Sequence, residues 1–325
     1  MTSGTVDAKI TIDGTRVAAM APRQSSEIIE RVWSQLPDGC REVLETELSP
    51  TDLQSLLLGL AQARARRIRP ADALRRWRSD RFVRPATIDP ARLSEVEHRL
   101  WQRLRNTAFV GLALSPVTPL GTCTAVGAVD QNRIVSTVRS SEVVSDPCNV
   151  LALEAALRRR SGADQVHLAS CQRVLRGQRF VDSDASAHFV LFALVSSMRD
   201  SGSAQTEAQL LIMHLSFWQQ VLTELLGSTW GHFGYTLIDN YTDRLVDMVR
   251  SKLPNAPLTA YPERTQGIGY YRTAAFKIMA DTKADALEIG DGGFVRWTAQ
   301  LIPNAKERCL ISCVAPERLA GLMPG

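Results

Sequence analysis

Apolar residues recur at helical spacing over residues 24–34, 49–69 and 91–104. The last of these stretches puts Leu93, Val96, Leu100, Trp101 and Leu104 on one face. The second opens with Ser49, Pro50, Thr51 and Asp52, a serine cap with proline in the first turn, which predicts a helix start. Ahead of them, residues 9–17 alternate apolar and polar positions around Asp13 and Gly14, a pair that tolerates the positive φ angles of a tight hairpin. The pattern predicts an N-terminal hairpin over 1–21 and a helical region over 22–106.

Beyond residue 106 the pattern becomes mixed. An apolar extended run ends at Pro116 and Pro119, and residues 123–138 read as two short strands around Asp130, Gln131 and Asn132, which carry hairpin-turn chemistry. A helix follows over about 150–160, with Asp146 or Asn149 as its cap. Residues 167–172 read as a strand, 173–187 as a polar loop and 188–197 as an almost wholly apolar strand, which predicts cover on both of its faces. A long helix over 206–226, a short strand over 235–238 and a helix over 240–253 lead to a linker bearing Pro254, Pro257 and Pro262. The final stretch, 265–319, has strand-like runs, a glycine turn and a last apolar strand that delivers Glu317, Arg318 and Leu319. An arginine there, with a glycine-rich turn and the Tyr270–Tyr271 pair, points to a grip for a nucleotide or polyanion.

Composition narrows the class. At 325 residues, with 45% hydrophobic and 22% charged positions, the chain is long enough for one large core with an appended module. The net charge of +4 does not by itself imply nucleic-acid binding. Six cysteines without a CxxC pair, and the lack of an apolar leader, argue for a cytoplasmic protein with reduced thiols and against a zinc site. No uncharged apolar run reaches the length of a membrane span.

Several residues carry candidate chemistry beside a plainer reading. Between Arg64 and Arg84 nine arginines stand against Asp72 and Asp80, with Trp77 and Phe82 interleaved. Arg75, Arg76 and Arg78 are the candidates for RNA contact; the alternative is a solvated basic helix face. Glu288, Asp291 and Glu317 are candidates to hold Mg2+ near phosphates, or are solvated strand-end charges. Tyr270 and Tyr271 line a pocket or belong to the core. His188 and His214, in apolar surroundings, read as satisfied core histidines.

The order of elements over residues 91–319 resembles the catalytic core of class II aminoacyl-tRNA synthetases, with the histidyl branch the nearest match. The family's second motif, Phe-Arg-x-Glu-Arg-Pro-Gln, is similar to the run Gln172, Arg173, Val174, Leu175, Arg176, Gly177, Gln178. The histidyl signature Arg-Gly-Leu-Asp-Tyr-Tyr is similar to the run from Gln266 to Tyr271, and the third motif, ending Glu-Arg-Leu, to Glu317, Arg318 and Leu319. The resemblance implies an α+β fold, an antiparallel sheet flanked by helices over 107–325, and a homodimer paired through the first-motif helix. It also implies ATP and Mg2+, with Arg173 on the α-phosphate, Arg318 on the γ-phosphate and Arg176 and Glu317 beside them. Asp146 and Cys148 stand where the family holds the substrate amino group, and Gln266, Tyr270 and Tyr271 where it shapes the pocket.

The departures matter as much. Leu175 replaces the glutamate of the second motif, Gln266 an arginine and Gly269 an aspartate, and no anticodon-binding domain follows the third motif in this sequence. Histidine charging is therefore not expected. The expectation is ATP-dependent activation of another amino acid or related carboxylate as an acyl-adenylate, with transfer to a small amine, a carrier protein or tRNA. The alternative is a non-catalytic, ligand-sensing protein like the ATP phosphoribosyltransferase regulatory subunit.

Overall fold

The computed structural model describes residues 22–127, 129–177, 186–227, 230–239, 243–265, 267, 269–281 and 286–323. The expected hairpin over 1–21 lies outside them. Four helical pieces come first: α1 (Pro22–Trp33), the single turn α2 (Cys40–Glu42) running into a π-helical turn over Val43–Glu47, α3 (Pro50–Ala65) and α4 (Pro70–Ser79). Ser49 caps α3, its hydroxyl accepting the Asp52 N–H at 3.1 Å. None of the described side chains from Glu27 to Arg84 is buried. By contrast α5 (Pro90–Leu104), capped by Asp89, buries Leu93, Val96, Leu100 and Leu104, the face that its spacing predicts.

Then follow β1 (Val110–Gly111), β2 (Val117–Pro119), α6 (Thr122–Gly127), β3 (Ser141–Val143), α7 (Pro147–Arg160), β4 (Gln165–Leu175), β5 (His188–Arg199) and α8 (Gln205–Leu226). The chain continues through β6 (Trp230–Leu237), α9 (Asp243–Lys252), β7 (Leu258–Ala260), β8 (Arg272–Asp281), β9 (Ala286–Val295), α10 (Trp297–Leu301), β10 (Glu307–Val314) and α11 (Pro316–Leu322). Eight strands form one sheet in the order β1-β4-β5-β10-β9-β8-β6-β7, antiparallel except at the two edge pairs. The fold is α+β, a large central sheet between helices.

Helices cover both faces of that sheet. Strand β5 divides its side chains between them: Phe192 and Leu194 join a core with residues of α5, α8, α9 and α11, while Ala193 and Val195 join a second core with Leu151 and Ala155 of α7 and Trp297 of α10. This alternation is why residues 189–195 are apolar throughout. We call the α7 side the front and the α5 side the back. Among the described residues no helix is long and apolar enough to cross a membrane.

Three local expectations change. Residues 123–138 do not form two strands: the first part is α6, and Asp130 caps a 3-10 turn over Gln131–Arg133 by accepting the Asn132 N–H at 2.9 Å. The cause is tertiary, because the buried Glu142 on β3 accepts the N–H groups of Gly121 and Cys123 at 2.8 Å each and so nucleates the helix. Glycines 290, 292 and 293 lie inside β9 and make no turn. Strand β4 continues through Leu175, so Arg173 is a strand residue paired with Val190 and not part of a loop.

Candidate functional site

On the front, Tyr271 is buried against β9. A Cβ at Gly293 would lie 2.6 Å from its ring, so glycine at that point is what lets the ring seat on the strand. Gly267, at φ 72°, makes the turn before it, and a Cβ there would also strike the ring at 2.8 Å. Tyr271 donates its hydroxyl to Asp291 Oδ2 at 3.2 Å. Arg264, whose side chain is 1% exposed, grips the same carboxylate through two N–H groups at 2.7 and 3.3 Å and lies 5.3 Å from the Tyr271 ring centroid. Burial works against the Arg264 charge, but Asp291 more than restores it, and the guanidinium pKa lies above its ordinary value.

The half-buried Tyr270 stands edge-on to Tyr271, with centroids 4.9 Å apart, and to Trp297 at 5.5 Å. Burial pushes its phenol well above the ordinary range, and the nearby Asp146 and Asp291 carboxylates and the Cys148 and Cys313 thiols push the same way. Asp146 is the N-cap of α7 and accepts the Cys148 N–H at 2.8 Å. Cys148, a buried free cysteine hydrogen-bonded to the Cys313 thiol, is held firmly in its thiol form. Asp146 keeps an exposed edge and Asp291 retains 24% of its side-chain surface. Asp291 and Arg264 thus meet at the Tyr271 hydroxyl, and Asp146 and Asp291 both act on the neighbouring Tyr270 phenol.

Arg173 lies elsewhere. The β4–β5 register runs without a slip from Gln165 to Leu175, and Ala169 and Cys171 pack into the back core. Strand alternation puts Arg173 on that same back face. Its Nη1 donates to His188 Nδ1 at 3.0 Å and to Glu317 Oε1 at 3.3 Å, while Glu317 Oε2 accepts the Val190 N–H at 2.8 Å. Burial pushes the Glu317 carboxyl up, against the opposing pull of the Val190 N–H and Arg173. His188 is half-buried and donates Nε2–H to the carbonyl of Arg84 at 2.7 Å, so it is no core histidine. His214 is: it is fully buried and bonded to Ser312 and Ser196. The front positions of β4 near the strand end are Gln172 and Val174.

The remaining candidates are scattered. Arg176, just past β4, donates to the Ser145 carbonyl at 3.0 Å and lies 5.0 Å from the Phe189 ring centroid, next to Asp146 on the front. Arg318, in the first turn of α11, donates to the backbone carbonyl of Glu288 at 2.6 Å. Glu288 itself is buried against Lys277 at 2.6 Å. Arg75, Arg76 and Arg78 are exposed on α4, and Gln266 lies outside the described residues. A magnesium nucleotide would need carboxylates without cationic partners and arginines converging on one phosphate. Here Glu288 holds Lys277, Asp291 holds Arg264, Glu317 holds Arg173, and Arg173 is on the opposite face from Tyr270. As built, this donor set does not fit a magnesium nucleotide.

Sequence reasoning missed Arg264, Lys277 and Cys313. Arg264 sits in the proline-bearing linker, 27 residues from Asp291. No periodicity connects the two, and only the seating of Tyr271 brings them together.

No protein family model matches the sequence, and no curated protein matches it. Solved structures share its fold. An ATP phosphoribosyltransferase regulatory subunit/histidyl-tRNA synthetase from Bacillus halodurans C is similar with a TM-score of 0.57 at 9% identity, over 74% of this chain and 83% of its own. Histidyl-tRNA synthetase from S. aureus gives 0.54 at 15% identity, over 72% and 67%. A histidine–tRNA ligase subunit from Alicyclobacillus acidocaldarius gives 0.53 at 11%, over 74% and 96%. At these identities the likeness establishes the fold, which is that of a class II synthetase core.

Proposed function

We propose that this class II synthetase-like chain binds a small, ammonium-bearing, amino-acid-like ligand on its front face and does not form an adenylate. The observation that carries the reading is the placement of Arg173 on the back of the sheet, away from Tyr270, Tyr271 and Asp291. A carboxylate held at Tyr270 and a phosphate held by Arg173 would be separated by the sheet, so no single phosphorus would meet both. The Asp146 and Asp291 carboxylates that act on the Tyr270 phenol support an ammonium as the recognised group, and Arg176, donating to the Ser145 carbonyl, is the cation for a carboxylate end.

Amino-acid-dependent exchange of pyrophosphate into ATP, surveyed over the standard amino acids with Mg2+ present, tests this. The expected result is no exchange above background with any of them. Exchange that depends on one amino acid would overturn the reading in favour of adenylation.

A further inference from the structure

The appendage formed by α1 to α4 is helical yet buries none of its described side chains, and large apolar residues stand open along it. Leu60 is 54% exposed, Leu74 56% and Trp77 52%, with Ile29, Val32 and Leu57 also exposed. Isolated helices of 10 to 16 residues are marginal in water. These helices therefore need an apolar cover, and the described residues of one copy do not provide it.

Charge identifies the cover. From Glu27 to Ala63 there are seven acidic residues against Arg31 and Arg41; from Arg64 to Arg84 there are nine arginines against two aspartates. Among the described residues the ion pairs of the appendage stay within one half: Arg41 with Glu30 and Glu45 in the acidic half, Asp72 with Arg69 and Arg75 in the basic half. Among the described residues no ion pair joins the two halves of one copy. A polyanion such as RNA would suit the basic half but be repelled by the acidic half, and phosphates do not cover leucine and tryptophan. A partner must be apolar along its length, basic opposite the acidic half and acidic opposite the basic half. This chain has that composition itself.

We infer that the appendages of two copies pair about a twofold axis, the acidic half of one on the basic half of the other. The surface is separate from the front-face site, and pairing there neither requires nor excludes a core dimer.

Hydrogen exchange of the full-length protein, followed over α1, α3 and α4 across protein concentration, reads this surface whatever the core does. Two triple variants at exposed positions accompany it: Glu42→Lys/Glu45→Lys/Glu47→Lys and Arg75→Glu/Arg76→Glu/Arg78→Glu. Protection should rise with concentration in the parent, fall at least tenfold in either variant alone, and return when the two variants are mixed, because each then carries the charges that the other lacks. Protection of β4 and β5 serves as the folding control. Protection that does not depend on concentration would show that the chain covers its own appendage and overturn the pairing. Protection unchanged by either reversal, failure of the mixture to recover, or protection gained only on addition of tRNA would overturn it as well.

Discussion

Lys277 and Glu288 meet at 2.6 Å on the adjacent strands β8 and β9, with side chains only 9% and 7% exposed. A buried pair of this kind contributes little net stability while both partners are present, but removing Lys277 takes the 2.6 Å cation from a Glu288 held away from water, with Arg264 the other cation its charge acts on. Lys277→Met should therefore cost about 3 to 5 kcal/mol in urea unfolding. The double variant Lys277→Met/Glu288→Leu should recover most of that loss. A double variant as unstable as the single one would mean that Glu288 has another stabilising role.

The two faces of the sheet should separate in binding experiments. Arg173→Met breaks an ion pair whose arginine is 41% exposed, which should cost about 1 kcal/mol or less and leave ligand affinity within twofold of the parent. Asp146→Asn keeps an N-cap side chain but loses the charge, so it should weaken binding at least tenfold with little change in stability. Asp146→Ala should lose both, with a stability cost of about 0.5 to 2 kcal/mol. A large affinity loss in Arg173→Met, measured by calorimetry, would contradict the separation.

Gly293→Ala should act through Tyr271. The new methyl would lie 2.6 Å from the ring, and the ring cannot give way without leaving Asp291. Overpacking here should cost about 1 to 3 kcal/mol and weaken ligand binding. Gly321→Ala, where nothing lies within 4 Å, is the matched control and should be neutral or slightly stabilising in thermal unfolding.

Acid sensitivity should come from two buried histidines. His214 Nε2 and His167 Nδ1 both bond to Ser196 Oγ at 2.9 Å, while Ser312 Oγ meets His214 Nδ1 and accepts the Trp218 N–H at 2.8 Å each. Burial holds both imidazoles below the ordinary 6.5, and His167 adds to the effect on His214. The unfolded chain then takes up protons first, so this stability is present above pH 6.5 and is lost as pH falls below it. The expected slope is up to about 1.4 kcal/mol per pH unit for each histidine. Denaturant melts from pH 7.5 to 5.5 check this, and His214→Gln should flatten the slope.

Much of the fold is written in local pattern. The amphipathic face of α5, the cap at Asp146, the buried β5 and the long α8 follow from spacing and capping chemistry, which neighbouring residues decide. The errors lie where a distant residue decides. Glu142 turns a strand-like segment into α6 from its place on β3, 19 to 21 residues further along the chain. The synthetase motifs set Tyr270, Tyr271, Asp146 and Arg173 together, whereas the fold puts the first three on the front and Arg173 on the back. In a strand a shift of one residue reverses the face, and composition does not register it. Arg264 was illegible because its role depends on a carboxylate that the fold brings to it.

The most direct test is calorimetric titration of the full-length protein with the standard amino acids and their amine and carboxylate fragments, without ATP or Mg2+. The account predicts that at least one ammonium-bearing ligand binds saturably and that Asp146→Asn weakens it at least tenfold. Binding that appears only once ATP and Mg2+ are added, or that survives Asp146→Asn unchanged, would contradict it.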